Sequence, residues 1–579
     1  MCAIFGFYLN RELNINDINL GKKALKMLEH RGPDDSGVWF NKKKGIFFGH
    51  NRLSIIDTSH LNKQPMSYNG TTLIFNGEIY NFKEIKKKFE NKFPKFKTLG
   101  DTEVLLKLFH FNEKKTLDHL DGMFAFACFK NEKLFLAVDH FGEKPLYYAK
   151  MKDGIYFSSE AKPLIELLKL SLTNNKKLKM EFTLFGYINS PNTIYQNLFK
   201  LEPAHYIECT THDKKIRLNK KKYWAVKPRS FSSGAIQPIS KDKIENIKEI
   251  LLTSIESRMI SDVPIGLFMS SGIDSILIAS LIKKELNQNI DTYTVKFNSA
   301  KVHDESTYAK RIAKHLGLNH TIISSDYKKN YNLNNLLELY SLDPNDNLTI
   351  FSIFAMSQLA RKNIKVALCG MGSDEIFLGY NRYSFFYKYI NLIKKLRIFR
   401  PTINLIDKLS KNKFKRIQTL NKNFLQVNKR NIYLNHLNRN QLQLYEENLI
   451  TSISSKYFSG NLNIFLKEMF DYDLKYTMPN SYIPPIDLGS MKASLEVRSP
   501  FLNKNLYEYI VKNIDQRSLL KFGSKNILKT ILKEYLPEKY LALPKRGFVF
   551  PVSELIKKKS TSSEKKIILR KKILEKLNI

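Results

Sequence analysis

The sequence has no run of 18 or more apolar residues among its 579, so no segment is expected to cross a bilayer as a helix. Cysteine is scarce, and no C-x-x-C spacing occurs among the four: Cys2, Cys128, Cys209 and Cys369. This argues against a disulfide framework and against a structural zinc site. The start also lacks a basic leader and a small-residue cleavage site, so no secretory signal is expected. Together these absences favour a cytoplasmic protein with no integral membrane segment.

Acidic residues are in short supply, since 55 Asp and Glu stand against 94 Lys and Arg, a formal net charge of +39. A nucleic-acid footprint would gather this charge on one face or tail, whereas the lysines occur in short bursts along the chain. We therefore predict no nucleic-acid partner. The exception is the basic tail, 553–579, whose apolar residues among lysines favour an amphipathic helix suited to an acidic membrane or a partner.

Intrinsic disorder is excluded as the general state because 43% of the residues are hydrophobic. Residues 1–165 show short β-runs with turn signals, interrupted by two helical patterns, which predicts an α+β layout. From about residue 241, strands alternate with helices, which predicts a parallel sheet with ligands at the carboxyl ends of its strands. A helical region follows over about 384–476.

Cys2 is the sharpest single feature of the first part. Removal of Met1 would give this residue both a thiol and an α-amine, and the amine can serve as the local general base. Characteristic stretches follow it in order: His30-Arg31-Gly32-Pro33-Asp34, Arg52-Leu53-Ser54-Ile55-Ile56-Asp57, Gln64-Pro65-Met66, Asn76-Gly77-Glu78-Ile79-Tyr80-Asn81 and Gly100-Asp101-Thr102-Glu103. In order and spacing they resemble the glutaminase domain of class II (N-terminal nucleophile) amidotransferases, especially the asparagine synthetase branch.

This resemblance implies roles for the glutamine-binding residues. Arg52 would grip the α-carboxylate of glutamine, and Glu78 and Asp101 would take its α-ammonium. Asn76 and Gly77 would form the oxyanion hole. Each also has a purely structural interpretation: Arg52 as a surface ion pair, Asn76-Gly77 as a hairpin turn, and Asp101 as a helix N-cap.

A second constellation lies after the predicted strand 265–269, in Ser270-Ser271-Gly272-Ile273-Asp274-Ser275. A Gly/Ser turn at a helix N-terminus presents N–H groups to an anion. The turn resembles the pyrophosphate loop of ATP pyrophosphatases, with Ser271 in place of the first glycine. The match continues through Thr294-Val295-Lys296-Phe297, Leu368-Cys369-Gly370-Met371-Gly372-Ser373-Asp374-Glu375, Ser494–Leu502 and Pro544-Lys545-Arg546-Gly547-Phe548, to about residue 552.

The resemblance implies ATP and Mg²⁺ at this second site. ATP would contact the first loop and the neighbouring backbone: Met269, Ser270, Ser271, Gly272, Asp274, Ser275, Val295, Cys369 and Gly370. Asp274 and Asp374 would bind Mg²⁺, and Lys545 would stabilise charge at the α-phosphate. Ammonia released at the first site would need an apolar passage, for which Met123 is a candidate wall residue.

The expected architecture is an αββα glutaminase sandwich over 2–205, a linker over 206–240, and an α/β ATP-pyrophosphatase domain over 241–552 with the helical insert and tail. The expected activity is glutamine-dependent conversion of aspartate to asparagine, giving AMP, pyrophosphate and glutamate. Met371, however, stands where asparagine-making relatives carry an acidic residue. Another carboxylate acceptor therefore stays open, as do glutaminase activity alone, a noncatalytic nucleic-acid or membrane-surface binder, and a homodimer.

Overall fold

The computed structural model of the protein describes residues 2–93, 95–212, 215–225, 231, 234–297, 305–325, 332–409, 421–438, 446–541 and 562–577. The N-terminal part contributes these strands: β1 (Ala3–Leu9), β2 (Asp35–Asn41), β3 (Ile46–Arg52), β4 (Met66–Tyr68), β5 (Thr71–Ile79), β6 (Gly122–Lys130), β7 (Lys133–Val138), β8 (Tyr147–Lys150), β9 (Gly154–Ser158), β10 (Leu198–Lys200), β11 (His205–His212) and β12 (Lys215–Lys222).

These strands form two antiparallel six-stranded sheets, ordered β10-β8-β9-β1-β3-β2 and β12-β11-β7-β6-β5-β4. The alternation within β1 explains the layering. Phe5 and Phe7 point to a core shared with α1 (Ile15–Met27) and α4 (Ala161–Leu167), whereas Ile4 and Tyr8 point to the core between the sheets. Helices α2 (Phe82–Lys88) and α3 (Asp101–Asn112) cover the second sheet. The αββα sandwich expected from the sequence is therefore present.

The linker predicted over 206–240 is wrong in its first half. Strand β11 pairs with β7 and with β12, so residues up to 222 extend the second sheet. The prediction failed because the largely exposed, lysine-rich edge strand β12 resembles a solvated connection in composition, although its backbone is paired with β11.

The C-terminal part contains a five-stranded parallel sheet, ordered β15-β14-β13-β16-β17. Its strands are β13 (Ile265–Phe268), β14 (Asp291–Phe297), β15 (His320–Ser325), β16 (Val366–Leu368) and β17 (Glu496–Arg498). Helix α5 (Lys176–Phe185) lies between β9 and β10 of the N-terminal part. The helices of the C-terminal part up to β16 are α6 (Lys241–Arg258), α7 (Ile273–Lys284), α8 (Ser306–Leu316), α9 (Leu333–Leu339) and α10 (Thr349–Ala360). The alternation of strands and helices predicted from the sequence is confirmed, and it brings the loops after β13 and β16 to one edge of the sheet.

The remaining helices form the predicted helical region and its continuation. They span Ser373–Ile376, Asn381–Ile398, Arg400–Leu409, Ile432–Leu437, Glu447–Ser454, Phe465–Tyr472, the π-helical Asp473–Tyr482, Ile483–Met491, Lys504–Asn513, Gln516–Lys521, Asn526–Leu532, Glu538–Leu541 and the C-terminal helix Ser562–Lys576. In the described part of the chain, no helix is both long enough and apolar enough to span a membrane.

The C-terminal helix does not present its apolar face to a membrane or a partner, which corrects the interpretation of the basic tail. Leu569 and Ile573 are buried in the core that also contains α1 residues of the sandwich. Arg570 is buried as well, where its guanidinium contacts Asp346 at 2.7 Å and the carbonyl oxygens of Thr183 and Leu184. The amphipathic pattern was real, but its apolar face is covered by the chain itself.

Candidate active sites

Cys2 directly precedes β1 and is held by its backbone. Its N–H donates to Asn76 Oδ1 at 3.1 Å, and its carbonyl accepts from Arg31 Nε at 3.2 Å. The thiol lies 4.0 Å from the carbonyl oxygen of Leu53. Burial raises the pKa of the thiol to about 11, so the group is protonated at neutral pH. A nucleophilic role therefore requires a base beside it.

Asn76 and Gly77 lie within β5, paired with Ala125 and Phe124, so the hairpin-turn interpretation is wrong. The Oδ1 atom of Asn76 is engaged by Cys2, whereas its Nδ2 is buried and has no hydrogen-bond partner among the described residues. A buried donor without an acceptor is costly, which fits a group reserved for a developing oxyanion. Gly77 has φ +147°, and a Cβ there would lie 2.0 Å from the carbonyl oxygen of Met123. No side chain fits at this position.

Arg52 ends β3 and is buried rather than exposed in a surface ion pair. Its guanidinium donates to the carbonyl oxygen of Ser59 at 2.9 Å and to that of Asp57. Both partners are neutral carbonyl oxygens, so the guanidinium group can still form an ion pair with an anionic ligand.

Glu78 and Asp101 form a buried acidic pair beside Cys2. Asp101 is the first residue of α3, whose N-cap is Gly100, and its carboxylate accepts from the N–H of Ile79 at 2.8 Å. The N-cap interpretation of Asp101 is therefore wrong. Burial, opposed by that hydrogen bond and reinforced by the charge of Glu496, raises the pKa of Asp101 to about 6. Burial together with Glu496 and Asp101 also raises the pKa of Glu78.

The second site begins after β13. Met269 N–H donates to the Tyr293 carbonyl at 2.9 Å, and Gly272 N–H donates to Ser270 Oγ at 3.0 Å. Ser275 Oγ accepts from the Ser270 N–H at 3.0 Å, which folds the turn back on the first residues of α7. Gly272 is the N-cap of α7 and supplies no side-chain cap. The first N–H groups of this helix are thus left for an anion.

Ser271 is buried, and its hydroxyl donates to Glu305 Oε2 at 2.7 Å. Its N–H points to the same carboxylate oxygen at 3.2 Å. The serine that replaces the family's first glycine is therefore fastened to the residue that precedes α8. Glu305 was not predicted as a functional residue.

The two carboxylates predicted to bind Mg²⁺ converge on one point. Lys525 Nζ lies 2.6 Å from both Asp274 oxygens and 2.7 Å from Asp374 Oδ1. Ser373 Oγ also donates to Asp274 Oδ1, at 2.5 Å. One or two carboxylates together with substrate phosphates are the usual ligand set of Mg²⁺, so these residues fit that ion. Lys525 was not predicted as a site residue, because one lysine among 94 Lys and Arg carries no distinguishing signal.

The loop after β16 closes the same edge of the sheet. A Cβ on Gly370 would lie 2.8 Å from the Asp274 Cβ, so the two loops are in close contact. Cys369 N–H donates to the Arg498 carbonyl at 2.9 Å, and the Met371 carbonyl accepts from Ser499 Oγ. Val295 and Met269 are buried on the neighbouring strand and turn. Lys545 lies outside the described residues.

Arg498 links the two sites. Its guanidinium is buried, contacts Glu496 at 2.6 Å and lies 3.4 Å from Glu78 of the first site. Next to it, an apolar cluster joins both parts of the chain through Leu53, Tyr80, Met123, Val366 and Met491. Met123 is fully buried there, and its role as the wall of an ammonia passage stays a prediction.

Comparison with known proteins extends these observations. Residues 1–224 match the family described as "Glutamine amidotransferase domain", and residues 246–577 match the family described as "Asparagine synthase". The second match includes the C-terminal helix, which the sequence resemblance had left outside. Because the first match ends at residue 224, it also includes β11 and β12.

Among curated proteins, the chain is similar to glutamine-hydrolyzing asparagine synthetase 1 of Bacillus subtilis. The two are 29% identical over 588 residues, which covers 98% of this chain and 90% of that relative. A putative asparagine synthetase 2 of Methanocaldococcus jannaschii is 33% identical over 429 residues, covering 69% and 79%. A putative asparagine synthetase of Mycobacterium tuberculosis is 28% identical over 560 residues, covering 92% and 84%.

Proposed function

The chain belongs to the asparagine synthase family, and we propose that it transfers the amide nitrogen of glutamine to a carboxylate acceptor, aspartate in the first instance. The family membership and the glutamine amidotransferase match establish an amidotransferase that uses glutamine and ATP. The single observation that carries the residue assignment is the buried Nδ2 of Asn76. It has no acceptor among the described residues, while the Oδ1 of the same side chain accepts from the Cys2 N–H.

At the first site, Cys2 Sγ attacks the side-chain carbonyl carbon of glutamine. The thiol needs a base because burial keeps it protonated, and the α-amine of Cys2, once Met1 is removed, can act as that base. Asn76 Oδ1 already accepts from that nitrogen and orients it. Asn76 Nδ2 and the Gly77 N–H stabilise the oxyanion. The amine returns its proton to the leaving nitrogen, ammonia departs, and water hydrolyses the thioester to glutamate.

Substrate orientation comes from opposite charges around the thiol. Arg52 binds the α-carboxylate of glutamine, and Glu78 with Asp101 binds the α-ammonium. The carboxyl group of Asp101 must be ionised for this contact, although its pKa lies at about 6. Glutamine binding therefore favours the ionised form of the pair.

At the second site, the acceptor carboxylate attacks the α-phosphate of ATP, and pyrophosphate leaves. The turn Ser270–Ser275 and the N-terminus of α7 bind the phosphates, and backbone at Met269, Val295, Cys369 and Gly370 binds adenosine. Asp274 and Asp374 would hold Mg²⁺, which supplies charge neutralisation on the phosphates when bound. Lys525 already lies between these two carboxylates and adds a cationic side chain to the site. Ammonia then displaces AMP from the acyl group.

The position of Met371 favours an acceptor other than aspartate. Its carbonyl accepts a hydrogen bond from Ser499, and the residue lines a cavity next to the loop after β16. A thioether neither accepts a proton nor binds an ammonium group. An acceptor without the α-ammonium of aspartate is therefore the second candidate.

The test is acceptor-dependent exchange of labelled pyrophosphate into ATP, screened over aspartate and other carboxylates. We expect exchange with aspartate, and AMP as the nucleotide product in the presence of ammonia. Exchange with another carboxylate but not with aspartate favours the second candidate. Formation of ADP and phosphate, or no exchange with any carboxylate, contradicts the proposal.

A further inference from the structure

A small cavity lies between the N-terminal sandwich and the loop after β16. Its volume is about 20 Å³, enough for one molecule of the size of water or ammonia. Apolar side chains from the helix Ile483–Met491, from β17 and from the following loop form much of its wall, namely Ile483, Ile486, Val497 and Leu502. The loop after β16 contributes Cys369 and Met371. The cavity therefore touches the loop that is proposed to hold adenosine.

The sandwich contributes two charged residues to this cavity, Glu143 and Lys144. Asp487 is the third charged residue that lines the cavity. It forms ion pairs with Arg31 at 3.0 Å and with Lys144 at 3.5 Å. Glu143 differs. Its side chain is 7% exposed, and no hydrogen bond or ion pair joins its carboxylate to another described residue.

Glu143 lies close enough to both candidate sites for its charge to act on a residue of each. Its charge acts on Tyr80, which belongs to the apolar cluster beside Cys2, and on the Cys369 thiol in the nucleotide loop. The charged groups that act on Glu143 are Asp139, Arg258, Lys144 and Asp121. Burial, reinforced by Asp139, raises its pKa well above the usual range of a glutamate. A carboxyl group shifted in that direction is a stronger base when ionised.

Attack of ammonia on an acyl-adenylate requires a proton acceptor. The C–N bond forms, the nitrogen becomes positively charged, and a proton must leave before the amide is stable. Of the described side chains that line the cavity, Ser499 is bonded to the Met371 carbonyl, and burial raises the pKa of Cys369 to about 12. Asp487 is matched by Arg31 and Lys144, and Met371 cannot accept a proton.

We infer that the carboxylate of Glu143 accepts the proton from ammonia as the ammonia leaves this cavity and attacks the acyl-adenylate at the loop after β16. The C–N bond forms as the proton passes to Glu143 Oε, the bond between the acyl carbon and the AMP phosphate oxygen then breaks, and AMP leaves with the electron pair. Glu143 later releases the proton to solvent. This role rests on the proposed function, because it needs the acyl-adenylate.

The test compares Glu143→Gln with the wild type in three assays: glutamine hydrolysis, pyrophosphate exchange with the acceptor that the wild type uses, and amide formation from ammonium chloride. We expect hydrolysis and exchange to stay within about threefold, while amide formation falls at least about 100-fold, as for loss of a general base. Glu143→Asp should retain an intermediate rate. Glu181→Gln, which removes another buried carboxylate outside this cavity, should leave all three assays unchanged.

Amide formation within threefold of the wild type in Glu143→Gln would overturn the role of Glu143 and leave the proposed function standing. A parallel loss of exchange would also overturn it, because that result marks an acceptor-binding group. If Glu143→Gln loses glutamine hydrolysis as well, the pH profile of Glu143→Asp decides. If the acidic limb of the pH profile for amide formation is displaced from that of the wild type, the result supports proton transfer by Glu143. An unchanged acidic limb contradicts it. A wild type without exchange on any carboxylate overturns the proposed function itself.

Discussion

The side-chain amide of Asn76 accepts a hydrogen bond from the backbone N–H of Cys2 at 3.1 Å, and its own buried Nδ2 group finds no acceptor in the part of the chain that the structure describes. One side chain thereby faces both the nitrogen proposed as base and the space proposed for the oxyanion. This arrangement needs β1 and β5 in opposite sheets of the sandwich. It also makes Asn76 the residue whose loss should affect chemistry more than binding.

Replacement of Asn76 by Ala should lower kcat for glutamine hydrolysis by about 100- to 1000-fold, the usual effect of removing one oxyanion-hole donor. KM for glutamine should change little, because Arg52, Glu78 and Asp101 are retained. Steady-state glutamate release measures both constants. Amide formation from ammonium chloride is the control and should persist. A variant in which KM rises while kcat is unchanged would contradict the oxyanion assignment.

Glutamine binding should weaken as the pH falls through about 6. The pKa of Asp101 is raised to about 6 by burial and the charge of Glu496, so below this pH the carboxyl is protonated and no longer attracts the α-ammonium of glutamine. KM for glutamine in the wild type should therefore rise on the acidic side. Asp101→Asn should show a high KM that is flat across the same range. The exposed Asp118→Asn serves as control, and an acidic rise that survives in Asp101→Asn would contradict this account.

Lys525 should be required at the second site alone. Lys525→Ala removes the cation that lies within 2.7 Å of both Asp274 and Asp374. The two carboxylates then repel each other and the phosphates, since removing one partner of a buried ion pair leaves uncompensated charge. Pyrophosphate exchange should fall by about 100-fold, a loss near 3 kcal/mol, with glutamine hydrolysis unaffected. The exposed Lys521→Ala is the matched control. If Lys525→Ala exchanges pyrophosphate at the wild-type rate, the proposed role of Lys525 at the second site is contradicted.

Arg570 should stabilise the docked C-terminal helix. Arg570→Met leaves Asp346 buried without its cation and also frees the carbonyl oxygens of Thr183 and Leu184. Breaking a buried pair in this way costs about 3–5 kcal/mol of unfolding free energy, measurable by urea denaturation. The double variant with Asp346→Asn should recover part of the loss, whereas the exposed Lys571→Met should cost little. Equal stabilities of Arg570→Met and Lys571→Met would contradict the role of this contact.

The sequence was sufficient for the two layouts and for the local stretches that supply most candidate site residues. Asn76, Gly77 and Glu78 are adjacent in sequence, and Ser270–Ser275 forms one turn, so a spacing pattern is enough to find them. Both sets then meet their distant partners through sheet topology. Strand β13 brings Ser270 next to the loop after β16 because the two strands pair directly in parallel.

Other residues carried no sequence signal. Lys525 is one lysine in a lysine-rich chain, and its meaning comes from a carboxylate 251 positions away. The apolar face of the C-terminal helix could be read from its pattern, but a pattern does not say what covers that face. Edge strand β12 was mistaken for a linker because its side chains are largely exposed although its backbone is paired. The roles of Lys525, the C-terminal helix and strand β12 all depend on contacts with residues that are distant in sequence.

The most direct test of the two-site account is amide formation by Cys2→Ala with each nitrogen source. With glutamine, labelled in its amide nitrogen, this variant should transfer no label to the acceptor. With ammonium chloride and ATP it should form amide and AMP at a rate within about threefold of the wild type, because the second site contains no part of Cys2. Loss of the ammonia-dependent reaction together with the glutamine-dependent one would contradict the account, and so would label transfer from glutamine without Cys2.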